Sequence, residues 1–298
     1  MLRWTVLATA FLFTSLSVAY ADLNSALKAY DAGDFKAALT DLQPLADSNN
    51  AEAQYHLGLM YDGGKGVATD AKVALGWFRK AASQGHSEAK RVVGIYYEEG
   101  KVVTRSYERA VEWYHEAANL GNAKAQRNLG GLYQDGRGVK PDLKRAFDLY
   151  TQSAAGGNLR AKRNLAYLYY FGAGVRRDYK KAAALFRETA AAGLGKADYD
   201  LGRLFYRGQG VAKDAQQAIE HFRKAAQKGH GDAQFFMGRM LMLGEGATKD
   251  LAKAYYWLLL SAAQETDKAG KLLRKAGRKL NDTQIAEAER AAQSFRPK

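Results

Sequence analysis

No cysteine occurs anywhere in this chain. That single absence excludes disulfide frameworks, thiolate metal centres, thiol nucleophiles and lipid-modified cysteine anchors. Proline is almost as scarce, with 3 residues in 298, so the chain is not a proline-rich spacer. Acidic charge is in deficit: 31 Asp and Glu stand against 45 Lys and Arg, a formal net charge of +14 at pH 7. Beyond residue 21 no apolar run approaches the roughly 20 residues a membrane-spanning helix needs. What remains is ample for a packed core, since 47% of the residues are hydrophobic.

The first 21 residues differ from the rest. Arg3 precedes an apolar run from Trp4 to Val18, and Ala19-Tyr20-Ala21 places small residues at the positions a signal peptidase reads. The pattern predicts a signal peptide over 1–21, cleaved after Ala21. The expected localisation is therefore export, to a bacterial periplasm or the medium; an uncleaved membrane anchor is the alternative. Outside the cytoplasm a basic chain is expected to meet acidic peptides, anionic glycans or phospholipid head groups rather than nucleic acid. No stable membrane insertion of the mature chain is expected.

Catalytic patterns fail on inspection. Ser25-x-x-Lys28 and Ser87-x-x-Lys90 have serine–lysine spacing but lack the Ser-Asp-Asn and Lys-Thr-Gly partners. The histidines, His56, His86, His115, His221 and His230, form no close chelating set. Glu98 and Glu99 diverge around a helix and form no acid/base pair. The reading is therefore no enzyme, no cofactor and no metal.

A period of 36 residues organises the chain. A marker pair recurs at Leu57-Gly58, Val93-Gly94, Leu129-Gly130, Leu165-Ala166, Leu201-Gly202 and Met237-Gly238. Alanines such as Ala53 and Ala125 precede it by four residues and aromatics such as Tyr61 and Tyr133 follow it, which puts all of them on one face of a helix. Glycines at 64, 100, 136, 172, 208 and 244 end that helix. Asp70, Ser106, Asp142, Asp178, Asp214 and Asp250 are placed to cap a second one, which carries Phe78, Tyr114, Tyr150, Phe186, Phe222 and Leu258 opposite the small residues. Departures are local, at Lys101-Val102 and Ala166, and are expected to loosen the stack without breaking it.

The run Ala-x-Ala-x-x-x-Leu-Gly-x-x-Tyr-x-x-Gly-x-Gly-Val-x-x-Asp from Ala53 to Asp70, followed by Trp-Phe-x-Lys-Ala-Ala-x-x-Gly from Trp77 to Gly85, resembles the Sel-one-like repeat of the tetratricopeptide superfamily. The expected fold is all-α, a right-handed α-solenoid of tandem 36-residue helix-turn-helix repeats. Residues 22–50 read as a degenerate N-terminal repeat, 51–264 as six repeats, and 265–298 as C-terminal capping helices. His86 and His230 share one repeat position with Asn122 and Asn158, read as helix termination.

The resemblance also implies that first helices line a concave groove. Positions on their remaining face are Lys124, Arg127, Gly131 and Gln134, then Arg160, Arg163, Tyr167 and Tyr170, then Lys196, Tyr199, Arg203 and Tyr206, none of them acidic. Arg91, Arg127 and Arg163 occupy one equivalent position and would form a ladder. Arginine forks and tyrosine rings suit an acidic peptide or saccharide, although a basic chain also carries arginine on solvated faces. Asn128 and Asn164 are open to either a structural or a peptide-binding role. The expected function is an exported scaffold, adaptor or regulator, gripping an acidic segment of a protein partner. Alternatives are a module for anionic cell-envelope glycan and an unrecognised cell-wall hydrolase. The helix near Lys268, with Lys271, Arg274, Lys275 and Arg278, shows a second basic face, read as a charged exterior over an apolar stripe.

Overall fold

The computed structural model describes residues 22–264 and 267–297. The signal-peptide expectation at 1–21 lies outside them. The described residues form sixteen helices and no strand: α1 (Leu23–Asp31), α2 (Phe35–Asp47), α3 (Ala51–Gly63), α4 (Ala71–Ser83), α5 (Ser87–Glu99), α6 (Tyr107–Asn119), α7 (Ala123–Asp135), α8 (Leu143–Ala155), α9 (Leu159–Phe171), α10 (Tyr179–Ala191), α11 (Gly195–Arg207), α12 (Ala215–Gln227), α13 (Gly231–Leu243), α14 (Leu251–Ala262), α15 (Asp267–Gly277) and α16 (Asp282–Gln293). Within the units the two helices of a hairpin pack on each other, as α3 on α4, α7 on α8, α11 on α12 and α13 on α14, and the fold is an all-α solenoid. The chain divides into two compact units, Met1–Ala89 and Lys90–Lys298.

Local chemistry sets where each helix starts and stops. Second helices begin at a side chain that accepts from orphan amides: Asp70 for α4, Ser106 for α6, Asp142 for α8, Asp178 for α10, Asp214 for α12 and Asp250 for α14. First helices begin at Asn50, Asn122 and Asn158 in the same way. The histidines at the equivalent position also cap the helix that follows: Nδ1 of His86 accepts from the Ala89 amide and Nδ1 of His230 from the Ala233 amide. They start helices rather than end them, because a neutral imidazole nitrogen can accept as an asparagine oxygen does.

The marker glycine is explained by close approach. A Cβ added at Gly130 would lie 2.8 Å from the Tyr150 ring, and one at Gly202 2.7 Å from Phe222. Gly58 and Gly94 lie against Phe78 and Tyr114 in the same way, so in four hairpins the second helix lays a ring on bare backbone of the first, and at Gly238 Leu258 takes the ring's place. Ala166 is buried in a cluster with Phe186, so that hairpin accommodates one methyl without breaking. At the other departure Val102 takes φ 54°, the left-handed conformation that Gly138, Gly174, Gly210 and Gly246 take in the same loop. The loop conformation is kept, at the cost of strain in a β-branched residue.

In the first unit, α1 to α4 enclose Ala38, Leu42, Leu57 and Met60. The hairpin of α1 and α2 turns at Gly33, with φ 80°, and Asp34 caps α2. In the second unit the buried rings of Tyr114, Tyr150, Phe186 and Phe222 run along the stack. At its C-terminal end Ala269, Leu272, Leu273 and Ala276 of α15 pack around Leu258, leaving the lysines and arginines of that helix outward. Asn281 caps α16 through a reciprocal box with Gln284, one residue before the cap expected at Asp282 or Thr283.

Candidate functional site

Within the second unit, the N-terminal halves of α9 and α11 and the turn before α13 border a cleft of about 690 Å³. Its charged lining is Arg127, Arg160, Arg163, Lys196 and Lys228, joined by His230 and by no carboxylate. Arg127, on α7, donates from Nη2 to Asn128 Oδ1 at 2.6 Å. Burial holds its guanidinium below the usual range, and the positive charges of Arg160 and Arg91 push it further the same way. Arg127 therefore feels an arginine of the repeat on either side.

Arg163 is different. Its Nε donates to Asp200 Oδ2 at 2.7 Å and its Nη2 to the Tyr167 hydroxyl at 2.8 Å, and that hydroxyl donates to Asp200 Oδ1 at 2.5 Å. Asp200 is only 3% exposed. Burial pushes its carboxyl up from the ordinary value, against the pull of Arg163 and Tyr167. Burial likewise raises Tyr167, with Asp200 adding to the shift. The third rung of the expected ladder thus has its charge balanced from within the chain.

The remaining predicted residues fall into two groups. Lys124, Arg160 and Lys196 are exposed, and Arg91 and Arg203 are half-buried. Arg203 lies 5.6 Å from the Tyr199 ring centre and 5.9 Å from that of Tyr170. Tyr170 is buried, its hydroxyl donating to Gln209 Oε1 at 2.8 Å and accepting from Arg207. Tyr206 donates to Glu245 Oε2 at 3.1 Å. Tyr199 stacks on His230, ring centres 4.4 Å apart. Asn128 and Asn164 pull the Tyr114 and Tyr150 hydroxyls toward their ordinary range, and Asn164 also lines the cleft.

Sequence reasoning missed Asp200, Lys228 and His230. Asp200 lies one residue past Tyr199, off the face that was scanned, and Lys228 and His230 stand in the turn between repeats. His230 carried a signal, namely its alignment with His86.

A second cleft, lined by Arg187, Asp198, Leu201, His221 and Lys224 among others, holds His221 Nδ1 3.2 Å from Asp198 Oδ1. Its lining contains no serine, threonine or cysteine, so this pair has no hydroxyl or thiol to activate. No cluster of three metal-ligating side chains occurs among the described residues, and none of their helices is long and apolar enough to cross a membrane.

Capped hairpins stacked in tandem, with a cationic cleft opening between repeats, define a helical-repeat scaffold. Six consecutive Sel1 repeats match residues 51–86, 87–122, 123–158, 159–194, 195–230 and 231–265, and the chain belongs to the Sel1 repeat family. It is similar to the crystal structure of a protective antigen present in uropathogenic Escherichia coli strains, which displays an SLR fold. Identity is 31% and the TM-score 0.85, over 91% of this chain and 60% of that one. This chain therefore spans less than two thirds of that protein's length. It is also similar to a Sel1 repeat protein from Oxalobacter formigenes, with 30% identity and a TM-score of 0.75 over 80% of this chain and 95% of that one. The chain has no match among curated proteins. Sel1 repeats are generally non-catalytic scaffolds that mediate protein–protein interaction.

Proposed function

We propose that this chain is an exported adaptor or regulator that grips an acidic segment of a protein partner in the groove of its central repeats. The observation that carries the reading is the cleft lined by Arg127, Arg160, Arg163, Lys196 and Lys228 with no carboxylate among its lining residues. Four of those cations have no carboxylate partner within the described residues. Arg127 is satisfied by an amide oxygen and Lys228 by the Gly193 carbonyl at 3.2 Å, while Arg160 and Lys196 make no hydrogen bond or ion pair among the described residues. Like charges held together cost free energy that an acidic ligand would offset. Export rests on the leader pattern of residues 1–21 alone.

The test is comparative capture from a cell-envelope extract with the native chain and with Arg127→Glu/Arg160→Glu. Those two positions are chosen because neither is an internal ion-pair partner, whereas a glutamate at 163 would face Asp200. Partners retained by the native chain and lost by the double variant, with salt-sensitive retention, support the reading. Identical recovery by both forms rejects it. Capture of acidic polysaccharide instead of protein would move the assignment to the glycan alternative.

A further inference from the structure

The two histidine-capped helices provide an internal comparison. In the first unit, His86 stacks on Tyr55 with ring centres 4.5 Å apart, its Nδ1 accepts from the Ala89 amide at 3.0 Å, and its Nε2 lies 3.1 Å from Glu52 Oε2. With Nδ1 accepting, the ring proton sits on Nε2 and is donated to the glutamate. In the second unit, His230 stacks on Tyr199 at 4.4 Å and its Nδ1 faces the Ala233 amide at 3.4 Å. Tyr199 is the equivalent of Tyr55, four repeats on.

The arrangement differs at one place. The position equivalent to Glu52 is Lys196. No hydrogen bond within the described chain reaches His230 Nε2, and around it the cleft gathers Arg160 and Arg163 of α9, Lys196 of α11 and Lys228 beyond α12. One repeat pairs its histidine with a carboxylate; the other has surrounded the same imidazole with cations.

Resting on the acidic-segment reading above, we infer that this cleft is a carboxylate site, in which a partner's carboxylate accepts from His230 Nε2 as Glu52 accepts from His86, and is held by Lys196 and Arg160. The ligand class is a carboxylate on a peptide, from an acidic side chain or a chain terminus. The charged and titratable groups facing His230 are Tyr199 and Lys196 from α11, Arg163 and Arg160 from α9, Lys228 from the turn after α12, and Asp232 on α13. Burial, Arg163 and Lys196 hold the imidazole toward its neutral form, against Asp232. A bound carboxylate reverses part of that bias, so the ring takes up protons more readily in the complex.

The experiment titrates the full chain with two probes, acetyl-triglutamate amide and tetra-alanine with a free C-terminus, following the His230 ring by NMR. Three variants accompany it: Lys196→Glu, which supplies an internal carboxylate as in the Glu52 repeat; His230→Asn, which keeps a capping side chain as at Asn122 and Asn158; and Arg127→Glu. Expected is a His230 titration shifted to higher pH by one or both probes, with affinity about tenfold weaker in Lys196→Glu and several-fold weaker in His230→Asn. Response to the first probe alone assigns side-chain carboxylates, and response to the second assigns a terminus. If Arg127→Glu weakens binding while Lys196→Glu and His230→Asn leave it unchanged, the acidic groove stands and this site is overturned. Equal displacement by inorganic phosphate overturns the carboxylate assignment. If neither probe binds the native chain, both readings fall.

Discussion

Arg163 Nε and Asp200 Oδ2 lie 2.7 Å apart, with the carboxylate buried and the guanidinium side chain only 18% exposed. The pair ties α9 to α11, and it removes from the cleft a charge that the sequence pattern had counted as available. Burial costs the carboxylate more than Arg163 and Tyr167 return, as the upward displacement of its pKa shows. Breaking such a pair from one side is expected to be far more damaging than neutralising it from the other.

Arg163→Met should therefore cost about 3 kcal/mol, because it strands a buried carboxylate. Asp200→Asn should cost less, about 1–2 kcal/mol, since it removes the charge that burial disfavours, although the amide oxygen accepts from only one of the two donors, Arg163 Nε and Tyr167 OH. Urea unfolding of both single variants and the double variant measures the coupling. A larger loss from Asp200→Asn than from Arg163→Met would contradict this account of the pair.

Val102→Gly should stabilise the chain by about 0.5–1 kcal/mol. Valine at φ 54° pays a steric cost of about 1–2 kcal/mol that glycine does not, partly offset by the greater freedom of glycine when unfolded. A rise in Tm with no change in helix content by circular dichroism is the expected result.

Gly130→Ala should destabilise by about 2 kcal/mol, because its methyl would meet the Tyr150 ring at 2.8 Å. Ala166→Gly removes a methyl that its hairpin already accommodates beside Phe186, and should cost only about 1 kcal/mol, mainly through helix propensity. Thermal unfolding of the two variants distinguishes close approach from a general intolerance of substitution.

His230 is held below its ordinary value of 6.5 by burial first, then by Arg163 and Lys196. The fold thus prefers the neutral ring, whose Nδ1 accepts from Ala233. Its contribution to stability is complete above about pH 6.5 and is lost as the pH falls through the lower folded-state value. His230→Asn should flatten that part of the stability profile between pH 7 and pH 5, measured by Tm. An unchanged slope in the variant would assign the pH dependence to other groups.

Much of the fold was legible because repetition multiplies weak signals. A single Asp-capped amphipathic segment says little, but five marker glycines at one register, four of them under a ring of the next helix, leave few other architectures. The cationic character of the cleft was legible in the same way, from Arg127, Arg160 and Lys196. Asp200 was not, because its neighbours in the other repeats are not acidic and only packing brings it under Arg163. His230 was visible as a repeat-end residue but was read as ending a helix. Its capping of α13 and its place among cations depend on the turn geometry, which no spacing rule contains. Tyr170 and Tyr206 were read as groove residues on helical phase alone, yet their hydroxyls are held by Gln209 and Glu245 of the next repeat.

The most direct measurement is calorimetric titration of the full chain with a glutamate-rich peptide, for the native protein and for Arg127→Glu/Arg160→Glu, at two salt concentrations. The account expects saturable binding that weakens with salt and falls at least thirtyfold in the double variant, about 2 kcal/mol for two reversed charges. Equal affinity in both forms, or equal affinity for a lysine-rich peptide, would contradict it.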